Sequence, residues 1–147
     1  MEVCARTFFT KEQKELIVCA VKHAELNTSG EVRVHIENSC PGDSVERAAS
    51  VFEKLGMTKT ALRNGVLFYL AIRDRKFAII GDHGIDEKVP ADFWEGLKLK
   101  MLVHFREARF AEGLSLGIEL TGLELKKHFP YQRDDVNELP DDISFGK

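Results

Sequence analysis

Val66-Leu-Phe-Tyr-Leu-Ala-Ile72 is seven residues without a charge, too short to cross a bilayer. A continuous apolar run of this length, flanked by Asn64-Gly65 and Arg73-Asp74-Arg75, predicts a strand covered on both faces. Such a strand cannot sit at the edge of a one-sided sheet. It requires packing layers above and below it, and the segments on either side can supply them.

Glu31-Val-Arg-Val-His-Ile-Glu37 alternates strictly, so Val32, Val34 and Ile36 share one face of a second strand. Lys76-Phe-Ala-Ile-Ile80 follows the Arg73–Arg75 turn and predicts a hairpin partner for the buried run. Four helices are expected around these strands. The first is announced by Thr10 and Gln13 as a capping box, with Leu16, Ile17, Ala20, Val21 and Ala24 on one face. The second starts at Asp43, with Glu46 as box partner, and stops at Gly56. Pro90 suits the first turn of the third, where Phe93, Leu97, Met101 and Phe105 recur. The fourth begins near Phe110, and Gly113, Gly117 and Thr121 form a ridge of small residues along it.

The order helix, strand, helix, strand, strand, helix, helix makes the first two strands parallel through a right-handed crossover. The expected fold is a three-layer α/β/α sandwich around a small mixed sheet, as one domain over residues 1–130. Residues 131–147 carry five acids against two bases and predict an acidic tail, extended or partly disordered. The remaining chain is neutral, with no basic stripe for nucleic-acid phosphates, so nucleic-acid binding is not expected. No apolar run spans a bilayer and the N-terminus has no signal-peptide pattern, so the expected location is cytoplasmic and the expected state monomeric. Three cysteines (Cys4, Cys19, Cys40) share no metal spacing and fit reduced thiols.

Parallel first and second strands bring Glu31, Asn64 and the loop Gly81–Val89 to one rim. Asp74 and the Cys40–Asp43 turn belong to the opposite rim. At the first rim, Asp82 and Asp86 flank Gly84 and can direct both carboxylates at one point, with Glu31, Asn64 and Glu87 as additions. Hard cations such as Ca²⁺ or Mg²⁺ take such oxygen ligands. The competing reading is that these residues form a turn and favour the next helix N-terminus.

Other chemistries find less in the chain. Cys40 and Arg47 have six residues between them, one too many for a cysteine-phosphatase loop. Asp74-Arg75 lacks the second aspartate of a phosphoaspartyl enzyme. No nucleotide-binding glycine motif occurs. His83 lies in the candidate loop; His23, His35, His104 and His128 have no partner at ligand spacing, and Trp94 reads as a core or rim aromatic.

The run NGVLFYLAIRDRKFAIIGDHGIDEKVP, followed by ARFAEGLSLGIELTGLELKKHFP, resembles the TPM-domain family over about Phe8 to Pro130. That family includes thylakoid-lumen acid phosphatase-like proteins of photosystem II repair and bacterial membrane-anchored relatives. The resemblance implies an α/β/α fold, divalent-cation binding and, for some members, acid phosphatase activity. Positions matching the family pattern are Asn64, Gly65, Asp74, Gly81, Gly84 and Asp86. The loop departs from the usual Gly-Tyr-Gly-Leu-Glu-Gly: Asp82-His83 adds a residue and Asp86 replaces the glutamate. The expected function is a divalent-cation-binding domain with a regulatory or interaction role. The alternative is a metal-dependent phosphomonoester hydrolase. A third possibility is an adaptor whose acidic tail docks on a protein partner.

Overall fold

A computed structural model describes residues 4–131 and 139–146. Its elements are α1 (Ala5–Phe8), α2 (Lys11–Asn27), β1 (Glu31–Glu37), α3 (Ser44–Lys54), a 3₁₀ turn (Met57–Lys59), β2 (Gly65–Ala71), β3 (Lys76–Gly81), α4 (His83–Lys88), α5 (Ala91–Arg106), α6 (Phe110–His128) and β4 (Ser144–Phe145). The sheet order is β3-β2-β1-β4. β1 pairs in parallel with β2, Glu31 opposite Gly65 and Glu37 opposite Ala71. β2 and β3 form the antiparallel hairpin.

Helices cover both faces, as the apolar run demanded. On one side, Val32, Val34, Ile36, Val66, Phe68 and Leu70 pack against α2, α5 and α6. On the other, Leu67, Tyr69, Ala71 and Ala78 pack against α3 and the 3₁₀ turn. Every residue of β1 and β2 is buried. Phe68 has no exposed surface, and burial of a side chain that size contributes about 2 kcal/mol. The fold is the expected α/β/α sandwich.

The caps form at the expected residues, but the box expected of Glu46 is not closed: its side chain does not bond back to Asp43. Thr10 and Gln13 form a reciprocal capping box on α2. Asp43 accepts from the amides of Val45 and Glu46, and Gly56 closes the α3 end at φ 72°. Along α6, Gly113 meets the Phe105 ring and Gly117 meets Met101, so the ridge receives α5. Gly122, one position past Thr121, lies against Ala24 of α2.

Two expectations change. Residues 81–89 are not an open loop: Asp82 accepts from the His83 amide and starts α4, which ends at Lys88. An aspartate with extended backbone ahead of His-Gly-Ile is an N-cap, and that local hydrogen bond decides the conformation. The sheet also has a fourth strand. Ser144–Phe145 pairs in parallel with β1, so β1 is interior for part of its length. Of the tail expected to be an extended or disordered arm, residues 132–138 lie outside the described residues.

Candidate functional site

β1 and β2 start together at one rim of the sheet, and the end of β3 joins them because the hairpin is antiparallel. Glu31 N–H donates to Asn64 O at 3.2 Å, and Asp82 N–H donates to Gly65 O at 3.0 Å. Glu31, Asn64 and Asp82 therefore gather where strand order predicts. Asp74 and Cys40 meet at the opposite rim, where the Asp74 carboxylate accepts from the Cys40 amide at 2.5 Å.

The side chains at the first rim are differently engaged. Asp82 is buried, and both of its carboxylate oxygens accept from Arg63, through Nε and one terminal nitrogen, at 2.7 Å each. Burial opposes its ionisation, but Arg63 and the His83 amide outweigh burial and hold its pKa below the usual carboxylate range. Arg63 reaches this position from left-handed backbone (φ 52°), a conformation that non-glycine residues adopt at a cost. Gly84 is required beside it: a Cβ there would stand 2.4 Å from Leu62 O and 2.7 Å from Arg63 O. Asp86 and Glu87 are exposed on α4. Asn64 is buried, and neither its Oδ1 nor its Nδ2 has a partner among the described residues. A buried amide left in that state costs free energy unless something satisfies it.

Glu31 meets an acid outside the expected set, and that acid meets another. Glu25 of α2 hydrogen-bonds to both Glu31 and Asp141, and its Oε2 also accepts from the Val32 amide at 3.2 Å. Burial first, then those hydrogen bonds, push the Glu25 carboxyl up to about 11, which favours its protonated form at neutral pH. Of the expected ligands, Glu31, Asn64 and Asp82 share the rim backbone, while Asp86 and Glu87 point to solvent exposure. Among the described residues, no group of three or more His, Cys, Asp or Glu is arranged to hold a metal ion. Two of the five are engaged within the protein: Asp82 is held by Arg63, and Glu31 is hydrogen-bonded to Glu25.

A second polar cluster lies at the other end of β1. Glu37 is buried and accepts from Arg47 Nε and a terminal nitrogen at 2.8 Å each, from the Tyr69 hydroxyl, and from His35 Nε2 at 3.2 Å. Burial opposes its charge, yet these donors pull its pKa down to about 2. Burial lowers the pKa of His35 and raises that of Tyr69. His35 Nδ1 lies 2.9 Å from Ser144 Oγ. With His35 neutral, Nε2–H donates to the carboxylate, so Nδ1 accepts from Ser144. This cluster was legible in principle: polar residues alternating on a strand beside a doubly covered one must be buried and paired.

Among the described residues, no helix is long and apolar enough to cross a membrane. The TPM domain family matches residues 5–122. No curated protein matches the chain. Among solved structures, the BA42 protein from the psychrophilic bacterium Bizionia argentinensis is 45% identical, covers 95% of this chain and 96% of its own, and superposes with a TM-score of 0.89. The N-terminal domain of a P. gingivalis protein shares the fold at 19% identity, with a TM-score of 0.68 over 85% of this chain and 82% of its own. A family match running from Ala5 to Gly122, on a fold that a close relative also adopts, places this chain in the TPM domain family.

Proposed function

We propose that this TPM domain binds a divalent cation, Ca²⁺ or Mg²⁺, at the rim formed by the starts of β1 and β2, and that its role is regulatory or one of interaction rather than catalysis. The observation that carries this reading is the meeting of Glu25 with both Glu31 and Asp141. Burial and these acidic neighbours disfavour the charged form of Glu25, so the cluster lacks positive charge that a cation would supply. A dication competes with protonation there, because metal ligands must be deprotonated and binding releases protons. Glu31 is the central ligand of the proposed set. The orphaned Asn64 amide oxygen fits a hard cation by its chemistry. Asp82 joins only if Arg63 releases it, and Asp86 and Glu87 are outer contributors.

Calorimetric titration of metal-free protein with Ca²⁺ and with Mg²⁺ tests the reading. The expected result is binding between micromolar and millimolar, accompanied by proton release and lost in Glu31→Gln. Absence of binding heat for both ions, or binding unaffected by Glu31→Gln and Glu25→Gln, removes this rim as the site.

A further inference from the structure

The outer edge of β1 is a groove that already holds a peptide, and the peptide is the chain's own tail. Ser144 and Phe145 pair with His35 and Ile36, and Gly146 N–H extends the ladder to Ile36 O at 2.9 Å. Ahead of the ladder, Arg33 donates to Asp142 O at 3.3 Å. The Phe145 ring lies beneath two cations, Arg6 at 5.3 Å and Lys14 at 5.4 Å from its centroid. Gly146 closes over the buried cluster so tightly that a Cβ would stand 2.6 Å from Glu37 Oε1 and 2.8 Å from His35 Nε2.

These contacts read a sequence. They call for a residue that offers a hydroxyl to His35, then an aromatic ring, then glycine. A cleft of about 440 Å³ beside the tail is lined by Lys11, Lys14 and Lys22 against Glu15, together with Asp142 of the tail itself, a net basic wall, and the tail enters as Pro-Asp-Asp-Ile. Among the described residues of the tail two are in strand, and all of residues 143–146 remain half-exposed. A segment held by so short a ladder is displaceable, and pairing along an open strand edge is a general mode of peptide capture.

We propose that the β1 edge is a peptide-docking groove, and that residues 139–146 of a second copy can occupy it in place of the chain's own. The contacts in the exchanged state are those of the closed chain, so exchange sacrifices only the advantage of tethering. That advantage corresponds to an effective concentration on the order of millimolar for a short tether. Exchange of an identical segment is a low-cost route between copies for this reason. The groove adjoins the proposed cation rim, because Asp141 of the tail also bonds to Glu25, but the peptide contacts at Ser144, Phe145 and Gly146 do not depend on a bound cation.

The test uses the full chain and a fluorescently labelled synthetic peptide, LPDDISFGK, followed by anisotropy. The parent chain should bind the peptide weakly, because its own tail competes. Phe145→Ala disables that tail and should bind the added peptide at least about tenfold more tightly. Gly146→Val disables it through a different contact and should show the same gain. A peptide carrying valine in place of its glycine should not bind. The proposal is overturned if neither variant binds the peptide better than the parent, or if the valine peptide binds as well as the native one.

Discussion

Glu37 is a buried glutamate and Glu25 a half-buried one, and they make the protein respond to pH in opposite directions. Glu37 has a folded-state pKa depressed to about 2 by Arg47, Tyr69 and His35 against the cost of burial. Its stabilising contribution is complete above the unfolded value of about 4.3 and is lost as pH falls toward 2. Glu25 is raised, so the folded protein holds a proton that the unfolded chain has released. Its contribution is complete below about pH 4.3 and declines as pH rises toward its folded value of about 11. Glu25→Gln should therefore raise the urea midpoint at pH 8 and leave it nearly unchanged at pH 4. Glu37→Gln should lower stability at pH 7 by about 3 kcal/mol, because Arg47 and Tyr69 lose a buried partner, and should flatten the acid limb. Urea unfolding of both variants across pH 3 to 9 checks the two signs together. Arg63 is the other residue whose role is decided by one partner. Arg63→Gln frees Asp82, whose carboxylate should then titrate closer to its ordinary range, a shift that NMR titration reads directly.

The helices are set largely by local chemistry, and their packing by a few close approaches. Thr10→Ala removes one half of the α2 capping box and should cost about 1 kcal/mol in a thermal or urea melt. Glycine to alanine in the middle of a helix ordinarily gains about 1 kcal/mol of propensity. On α6 that gain should be reversed. A Cβ on Gly122 would stand 2.8 Å from Ala24 Cα, which cannot yield without moving α2. A Cβ on Gly117 would instead meet the Met101 side chain, 2.4 Å from its sulfur, and that chain can turn aside. Gly122→Ala should consequently destabilise by about 2 kcal/mol and Gly117→Ala by less. Equal effects in melting experiments would show that α6 shifts as a body rather than against fixed neighbours.

In the whole molecule, β1 and β2 are covered above and below while β3 is half-buried along one edge. Amide exchange should be slowest in β2, which is bonded on both sides, and faster along β3, a ranking that hydrogen-exchange NMR can check. The same layout explains why the two polar clusters sit at opposite ends of β1. Its alternate side chains, Glu31, Arg33, His35 and Glu37, enter a space already closed by neighbouring elements, so each needs a partner from another element. Glu25, Asp142, Ser144 and Arg47 supply them.

Much of this was legible from the chain alone. Thr10 and Gln13, Asp43 and Gly56 mark helix ends through bonds among near neighbours, and the run from Val66 to Ile72 demanded two covering layers. Parallel pairing of the first two strands placed Glu31, Asn64 and Asp82 at one rim before any coordinate was known. Their engagement was not legible. The grip of Arg63 on Asp82, the hydrogen bonds of Glu25 to Glu31 and Asp141, and the docking of Ser144–Phe145 on β1 join residues 6 to over 100 positions apart. Periodicity and capping record contacts within a turn or two of chain, where spacing determines which side chains meet. Pairing across the fold depends on how whole elements pack, and only the tertiary structure decides that.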